Sequence, residues 1–257
     1  MNNVESQNPS EELNDITPAQ FFDVKKNLAI VTVPLLRSIS EKKRGFVLIT
    51  SRRERLDLTD ESLLSLGYVS ERMPRPKQRW SWTSINRFLK RESSGTIAAA
   101  FVAILKQLES HIDLGAYENI ETLALWIIGT YVFRMLPTYP YIHLNGMAGA
   151  GKTKTLHIVS LMAFNGCVGT DTTPAALVRL THDNQSTLCL DEIEKLQSAK
   201  DEMSKSALAI LNVGYKRDSS VPKLEVAGKD WAIKEFDPYS PKILAGIRGL
   251  EGTLSSR

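Results

Sequence analysis

Only two cysteines occur in 257 residues, and Cys167 and Cys189 share no metal-ligand spacing. A disulfide scaffold and a zinc-organised fold are therefore excluded, and two reduced thiols buried in strands are expected. Histidine is also sparse, with four residues. His111, His143, His157 and His182 have no common spacing for a metal or a nucleophilic relay, and His143, inside an apolar run, is expected to be a hydrogen-bonded core residue. An excess of one charge sign is nearly absent too, and a net charge of +3 is too small to define a nucleic-acid binder by itself. No apolar run is long enough for a bilayer. The longest, from Thr122 to Phe133, is bracketed by Glu121 and Arg134 and suits a buried helix. No repeat recurs and no secretory signal pattern opens the chain, so a cytoplasmic protein with no membrane partner is expected.

What is present is apolar content of 42% with 24% charged residues, ordinary for a globular chain able to bury one large core or two modest ones. Residues 146–153 read Gly-Met-Ala-Gly-Ala-Gly-Lys-Thr, a complete G-x-x-x-x-G-K-[ST] pattern. Gly146, Gly149 and Gly151 let the backbone curl so that successive N–H groups face one concavity, with Met147, Ala148 and Ala150 between them. Lys152 adds a mobile charge for β- and γ-phosphates, Thr153 offers a hydroxyl to Mg²⁺, and Lys154 continues the helix that begins there. Tyr141 to Asn145 predicts a buried strand before the loop, and apolar spacing over 153–164 predicts a helix after it. Strand, loop and helix in that order argue against a flexible Gly/Ala linker and for ATP with Mg²⁺ as cofactors.

The chain divides into a disordered lead-in (1–19), a small α+β region (20–95) of unknown role and an α/β unit (96–257). In the first region Gly45 to Thr50 predicts a strand, and Thr59 or Asp60 caps a short helix ending near Leu66. Glu92 to Gly95 is the linker candidate. Helices are predicted from Thr96 to Leu108 and from Ile120 to Leu136, both packing on the later sheet. Gly166 to Gly169 is a further strand, and Thr173-Pro174 starts a helix. The alternation predicts a parallel sheet wrapped by helices.

The strand Ser186 to Leu190 runs directly into Asp191-Glu192. Asp191 would hold Mg²⁺ through water and Glu192 would deprotonate the attacking water, unless the pair merely caps the next helix. One strand–helix unit separates the loop strand from this acidic strand, so right-handed crossovers leave room for a strand between them. Pro241 to Ile247 can supply it, although its end offers only Gly246, Ile247 and Arg248 where a polar sensor is usual. Val221 to Val226 and Trp231 to Phe236 alternate like a β-hairpin with Lys229 at the tip, a residue for DNA or for solvent.

These features resemble a group of P-loop ATPase domains of unassigned function from phages, plasmids and other mobile elements, often fused to primase or helicase modules. The resemblance is carried by the loop, Thr173 to Leu177, Leu190 to Glu192, Leu211 to Arg217, Pro241 to Ile247 and Gly252 to Arg257. Residues 20–95 take no part in it. It implies an AAA+/helicase-like fold with an additional central strand and a catalytic Glu. It also implies Mg²⁺-dependent ATP hydrolysis on single-stranded or forked DNA, hexamers in the complete protein and a catalytic Arg257 reaching a neighbour's γ-phosphate. A fifth strand and a helical lid normally follow, so this form is expected to bind ATP, turn it over slowly and be mainly monomeric. The alternatives are a nucleotide-dependent switch acting on a protein partner and a truncated ATP-binding module.

Basic groups gather at Arg72 to Arg91 around Trp80 and Trp82, at Lys42 to Arg55, and at Lys216-Arg217. The indoles would stack on bases or lie in a core, and indole burial elsewhere favours the core. Lys216, Arg217 and Lys229 are the candidate DNA contacts.

Overall fold

The computed structural model describes residues 13–38, 43–71, 73–77, 79–92, 95–169, 172–198, 200–227, 230–250 and 252–256. Residues 1–12, Lys42, Arg72, Lys229 and Arg257, with the expectations attached to them, lie outside the described residues.

The N-terminal unit contains β1 (Asn14–Asp15), β2 (Gln20–Asp23), β3 (Leu28–Ser38), β4 (Lys43–Thr50), β5 (Arg55–Asp57), α1 (Asp60–Ser65), β6 (Tyr68–Val69) and α2 (Trp82–Leu89). Strands β2 to β5 form one antiparallel sheet in sequence order. Each of its faces is covered. Leu28, Ile30 and Leu48 pack with Leu63 and Tyr68 on one side, while Val33, Val47 and Ile49 meet Ile85 of α2 on the other. Trp80 and Trp82 are half-buried against this second cluster, the core arrangement rather than an open stacking platform. Thr59 is the cap of α1, its hydroxyl accepting the Ser62 N–H at 3.2 Å. Residues 13–19, expected in a disordered lead-in, are structured. Strand β1 pairs in parallel with β6, and Ala19 is fully buried.

The second unit contains α3 (Ile97–His111), α4 (Tyr117–Gly129), β7 (Ile142–Asn145), α5 (Lys152–Met162), β8 (Cys167–Gly169), α6 (Pro174–His182), β9 (Leu188–Leu190), α7 (Ile193–Ser198) and α8 (Glu202–Val213). The hairpin β10 (Val221–Ala227) and β11 (Asp230–Phe236) and the strand β12 (Lys242–Gly246) complete it. Its sheet is wholly parallel with order β7-β12-β9-β8, so β12 lies between the loop strand and the acidic strand, as the crossover argument requires. The protein is thus a mixed α/β molecule.

Alternation along these strands feeds two cores. Ile243, Ala245 and Cys189 face α4 and α5, while Tyr141, Leu188, Leu190 and Leu244 face α6, α7 and α8. Leu156 and Val159 of α5 are fully buried, each contributing about 1.5–3 kcal/mol, and this anchors the start of α5 at the strand tips. Helix α3 lies mainly on α4 rather than on the sheet and leaves Ile97 and Val102 exposed. Helix α4 stops at Gly129, short of the expected Leu136. The Tyr139 hydroxyl, bonded to the Trp126 carbonyl at 2.5 Å, occupies the space a Cβ on Gly129 would need. Cys167 is half-buried rather than buried.

One lysine is fully buried in the sheet. Lys242 Nζ donates to the carbonyls of Gly214, Pro238 and Ser240, each at 3.0 Å, and burial brings its pKa down to about 7. The units are joined by buried polar contacts. Gln20 N donates to Gln185 Oε1 at 2.7 Å and Gln20 Nε2 to the Tyr131 carbonyl at 2.6 Å. Among the described residues no helix is long and apolar enough to cross a membrane.

Candidate functional site

The loop joins β7 to α5 at the carboxyl ends of the parallel strands, where α/β sheets place ligands. Gly149 (φ +81°) and Gly151 (φ +82°) are left-handed, and nothing lies within 4 Å of where a Cβ on either would sit. Gly151 is the N-cap of α5 and no side chain caps that helix. The first-turn N–H groups at Lys152, Thr153 and Lys154 therefore add their partial positive charge where the loop meets the helix, while the Ala150 N–H is taken within the loop by the Met147 carbonyl at 3.2 Å. Met147 is exposed at the rim. Lys152 Nζ folds back onto the loop and donates to the carbonyls of Gly146 at 2.5 Å and Met147 at 2.8 Å. These are weak competitors for an ammonium that phosphate oxygens could hold.

Across two strand positions, β9 delivers Asp191. Its Oδ2 accepts the Thr153 hydroxyl at 2.5 Å, and its Oδ1 accepts the Glu192 N–H at 2.9 Å. The hydroxyl and the carboxylate, far apart in sequence, thus meet as a pair of hard oxygen donors suited to Mg²⁺, which keeps several waters of its own. No group of three or more metal-ligating side chains exists among the described residues, so a divalent ion here would complete its shell with water and phosphate. Donor chemistry and backbone cradle fit Mg²⁺ and a polyphosphate.

Glu192 is left-handed (φ +55°), a conformation costing a non-glycine residue about 1–2 kcal/mol and concentrated at functional sites. Its carboxylate pairs with Lys195 on the first turn of α7. A cleft of about 490 Å³ runs beside β7 to Lys152, with Asp113, Asn119, His143 and Asn145 in its walls. A second, apolar cavity of about 370 Å³ touches no loop residue and lies between the N-terminal sheet, α2, Tyr131 and Phe164.

Near the strands, one group escaped the sequence reading and another departs from it. Glu194 is half-buried with Oε2 unpartnered, pressed against the position a Gly246 Cβ would take. His143 is not the satisfied core histidine expected. Its Nε2 is buried without a partner, and burial lowers its pKa against an opposing pull from Glu194. No local signal marks Glu194, and the lack of a partner for His143 depends on what the fold packs around its ring. Gly246 ends β12 without a polar side chain, and Arg248 is exposed beyond it.

The candidate DNA contacts fare unequally. Lys216 is exposed. Arg217 is tied inward, donating to the Arg134 carbonyl at 3.3 Å and pairing with Asp218. The expected hairpin forms, and its outward face exposes Leu224, Trp231 and Ile233.

No protein-family model and no curated protein matches this chain. Fold and site therefore define the class as far as mixed α/β, and function has to be argued from the loop outward.

Proposed function

We propose that the chain is an Mg²⁺-dependent P-loop ATPase of the AAA+/helicase-like kind, acting on DNA in the replication of a mobile element. The observation that carries this reading is the Thr153–Asp191 hydrogen bond at 2.5 Å beneath a glycine loop with two left-handed positions. A G-K-T sequence in a linker has no reason to meet a carboxylate at the tip of another strand.

In this reading the loop N–H groups and Lys152 hold the β- and γ-phosphates, while Thr153 and Asp191 hold the metal and its waters. Bound Mg²⁺ supplies neutralisation of phosphate charge. Glu192, turned from Lys195 toward the phosphates, accepts a proton from the attacking water. DNA as the polymer, a hexamer as the working form and Arg257 as a residue acting on a neighbour belong to the same proposal through the resemblance alone. The Glu192–Lys195 pair favours a second reading, a module that binds ATP but turns it over slowly until the pair opens.

Lys152→Ala tests the core of the proposal. ATP affinity measured by calorimetry should fall at least tenfold, the order lost with one or two hydrogen bonds to a charged group. Unchanged affinity and turnover would remove the loop as the site.

A further inference from the structure

Basic side chains that are scattered along the N-terminal unit converge in space. The turn between β4 and β5 carries Arg52, Arg53 and Arg55, and the C-terminal part of α2 with the residues after it carries Arg87, Lys90 and Arg91. Two contacts lay the turn along the helix. The Arg53 guanidinium stands 4.5 Å over the Phe88 ring and donates to the Phe88 carbonyl, and Arg55 lies 5.8 Å from the Trp82 ring. Five of the six cations are exposed, and Arg53 is half-buried. Among the described residues the ion pairs involve none of them. Glu54, which accepts a bond from Thr50, Asp57 and Glu92 are the carboxylates within these two segments.

Backbone conformation supplies a second, independent observation. Arg53 (φ +67°) and Arg91 (φ +61°) both sit in the left-handed region, where turn geometry selects glycine or asparagine. Arginine at two such positions on one surface points to a use for the charge. Attraction to the α2 carboxyl end explains part of the helix cluster, but the β4–β5 turn ends no helix.

We propose that this band binds the phosphate backbone of nucleic acid. Five of its six cations are arginines, whose planar forks match phosphate oxygens two at a time. No large apolar side chain is exposed among residues 51–57 or 82–92 to enter a lipid surface. The band gives the proposed DNA substrate a place to bind. It rests on that reading for the identity of the polymer only, because the contact needs no nucleotide.

The test is fluorescence anisotropy without ATP, using labelled oligothymidylate of about 20 nucleotides and a duplex of the same length, from about 50 to 300 mM NaCl. Wild type should bind at low salt, and the form bound more tightly identifies the strand state. The triple variant Arg87→Ala, Lys90→Ala, Arg91→Gly should lower the slope of log affinity against log salt by about 2 on the single strand and nearly 3 on duplex. Its melting temperature should hold, since glycine at 91 relaxes the backbone. Should the triple variant fail to fold, Arg52→Glu at an exposed turn position should weaken binding at least tenfold. A folded variant with the wild-type slope would overturn the proposal. So would an absence of DNA binding at low salt, or binding only to vesicles containing phosphatidylserine. None of these results would touch ATP binding, and loss of ATP binding in Lys152→Ala would leave this surface standing.

Discussion

Gly151→Ala separates the folding role of the loop from its ligand role. The backbone there is at φ +82°, which costs an L-residue about 1–2 kcal/mol. Nothing lies within 4 Å of the added methyl, so no clash within the protein enlarges that cost. For a chain of this size the loss lowers the melting temperature by about 2–8 °C. Nucleotide binding should suffer more. A methyl in the concavity displaces a phosphate oxygen from at least one loop N–H, a hydrogen bond to a charged group worth about 1.5–3 kcal/mol, or tenfold to a hundredfold in affinity. Differential scanning fluorimetry with and without Mg²⁺-ATP, together with calorimetry, reads both effects. In wild type ATP should raise the melting temperature, and in the variant that rise should shrink or vanish. A variant that melts earlier yet keeps wild-type ATP affinity would show that the concavity faces something other than phosphate.

The remaining predictions concern the acidic strand and the buried lysine. Glu192→Gln should keep ATP binding while abolishing turnover, whereas Asp191→Asn should weaken Mg²⁺-dependent binding; single-turnover assays that give the glutamine variant wild-type rates would remove Glu192 as the base. Lys242 titrates near 7 when folded and near 10.5 when unfolded, so the unfolded chain holds more protons between those values. Its contribution to stability is therefore flat below the lower value and rises with pH through the window. Lys242→Met should lose that rise and leave the Pro238 and Ser240 carbonyls without their donor, at about 1–3 kcal/mol for each that water cannot reach, while the Gly214 carbonyl keeps the Ser240 N–H at 3.1 Å. Urea midpoints for the two proteins that run parallel from about pH 6 to 10 would refute this assignment.

What was legible in the chain was local or governed by handedness. Strand, loop and helix around Gly146 to Thr153 follow from apolar spacing and glycine, and the central place of β12 follows from the crossover rule. The helix start at Thr173-Pro174 and the hairpin of the 221–226 and 231–236 stretches were equally readable. Strands β2 and β3 were not. Their sheet is buried on both faces, so no alternation marks it, and Pro34 interrupts the pattern inside β3. The apolar run continues beyond α4 because Phe133 belongs to the core, and the Tyr139 hydroxyl that sits against the last turn of the helix comes from outside it. At the site, the Thr153–Asp191 pair was readable as two motif positions. The Glu192–Lys195 pairing and the unpartnered Glu194 and His143 depend on side-chain directions that sequence does not carry.

Gln20 has a consequence for how the molecule comes apart. Its main-chain N–H is held by Gln185 and its side-chain amide by the Tyr131 carbonyl, so one residue of the first unit is sewn into two places of the second. Separating the units would strip those buried groups of partners and expose Phe164, which walls the apolar cavity between them. The break in composition near residue 95 is therefore a punctuation mark in the chain and not a seam in the solid. Heat or denaturant is expected to meet one cooperative body there, and a cut at that point to yield two incomplete halves rather than two modules.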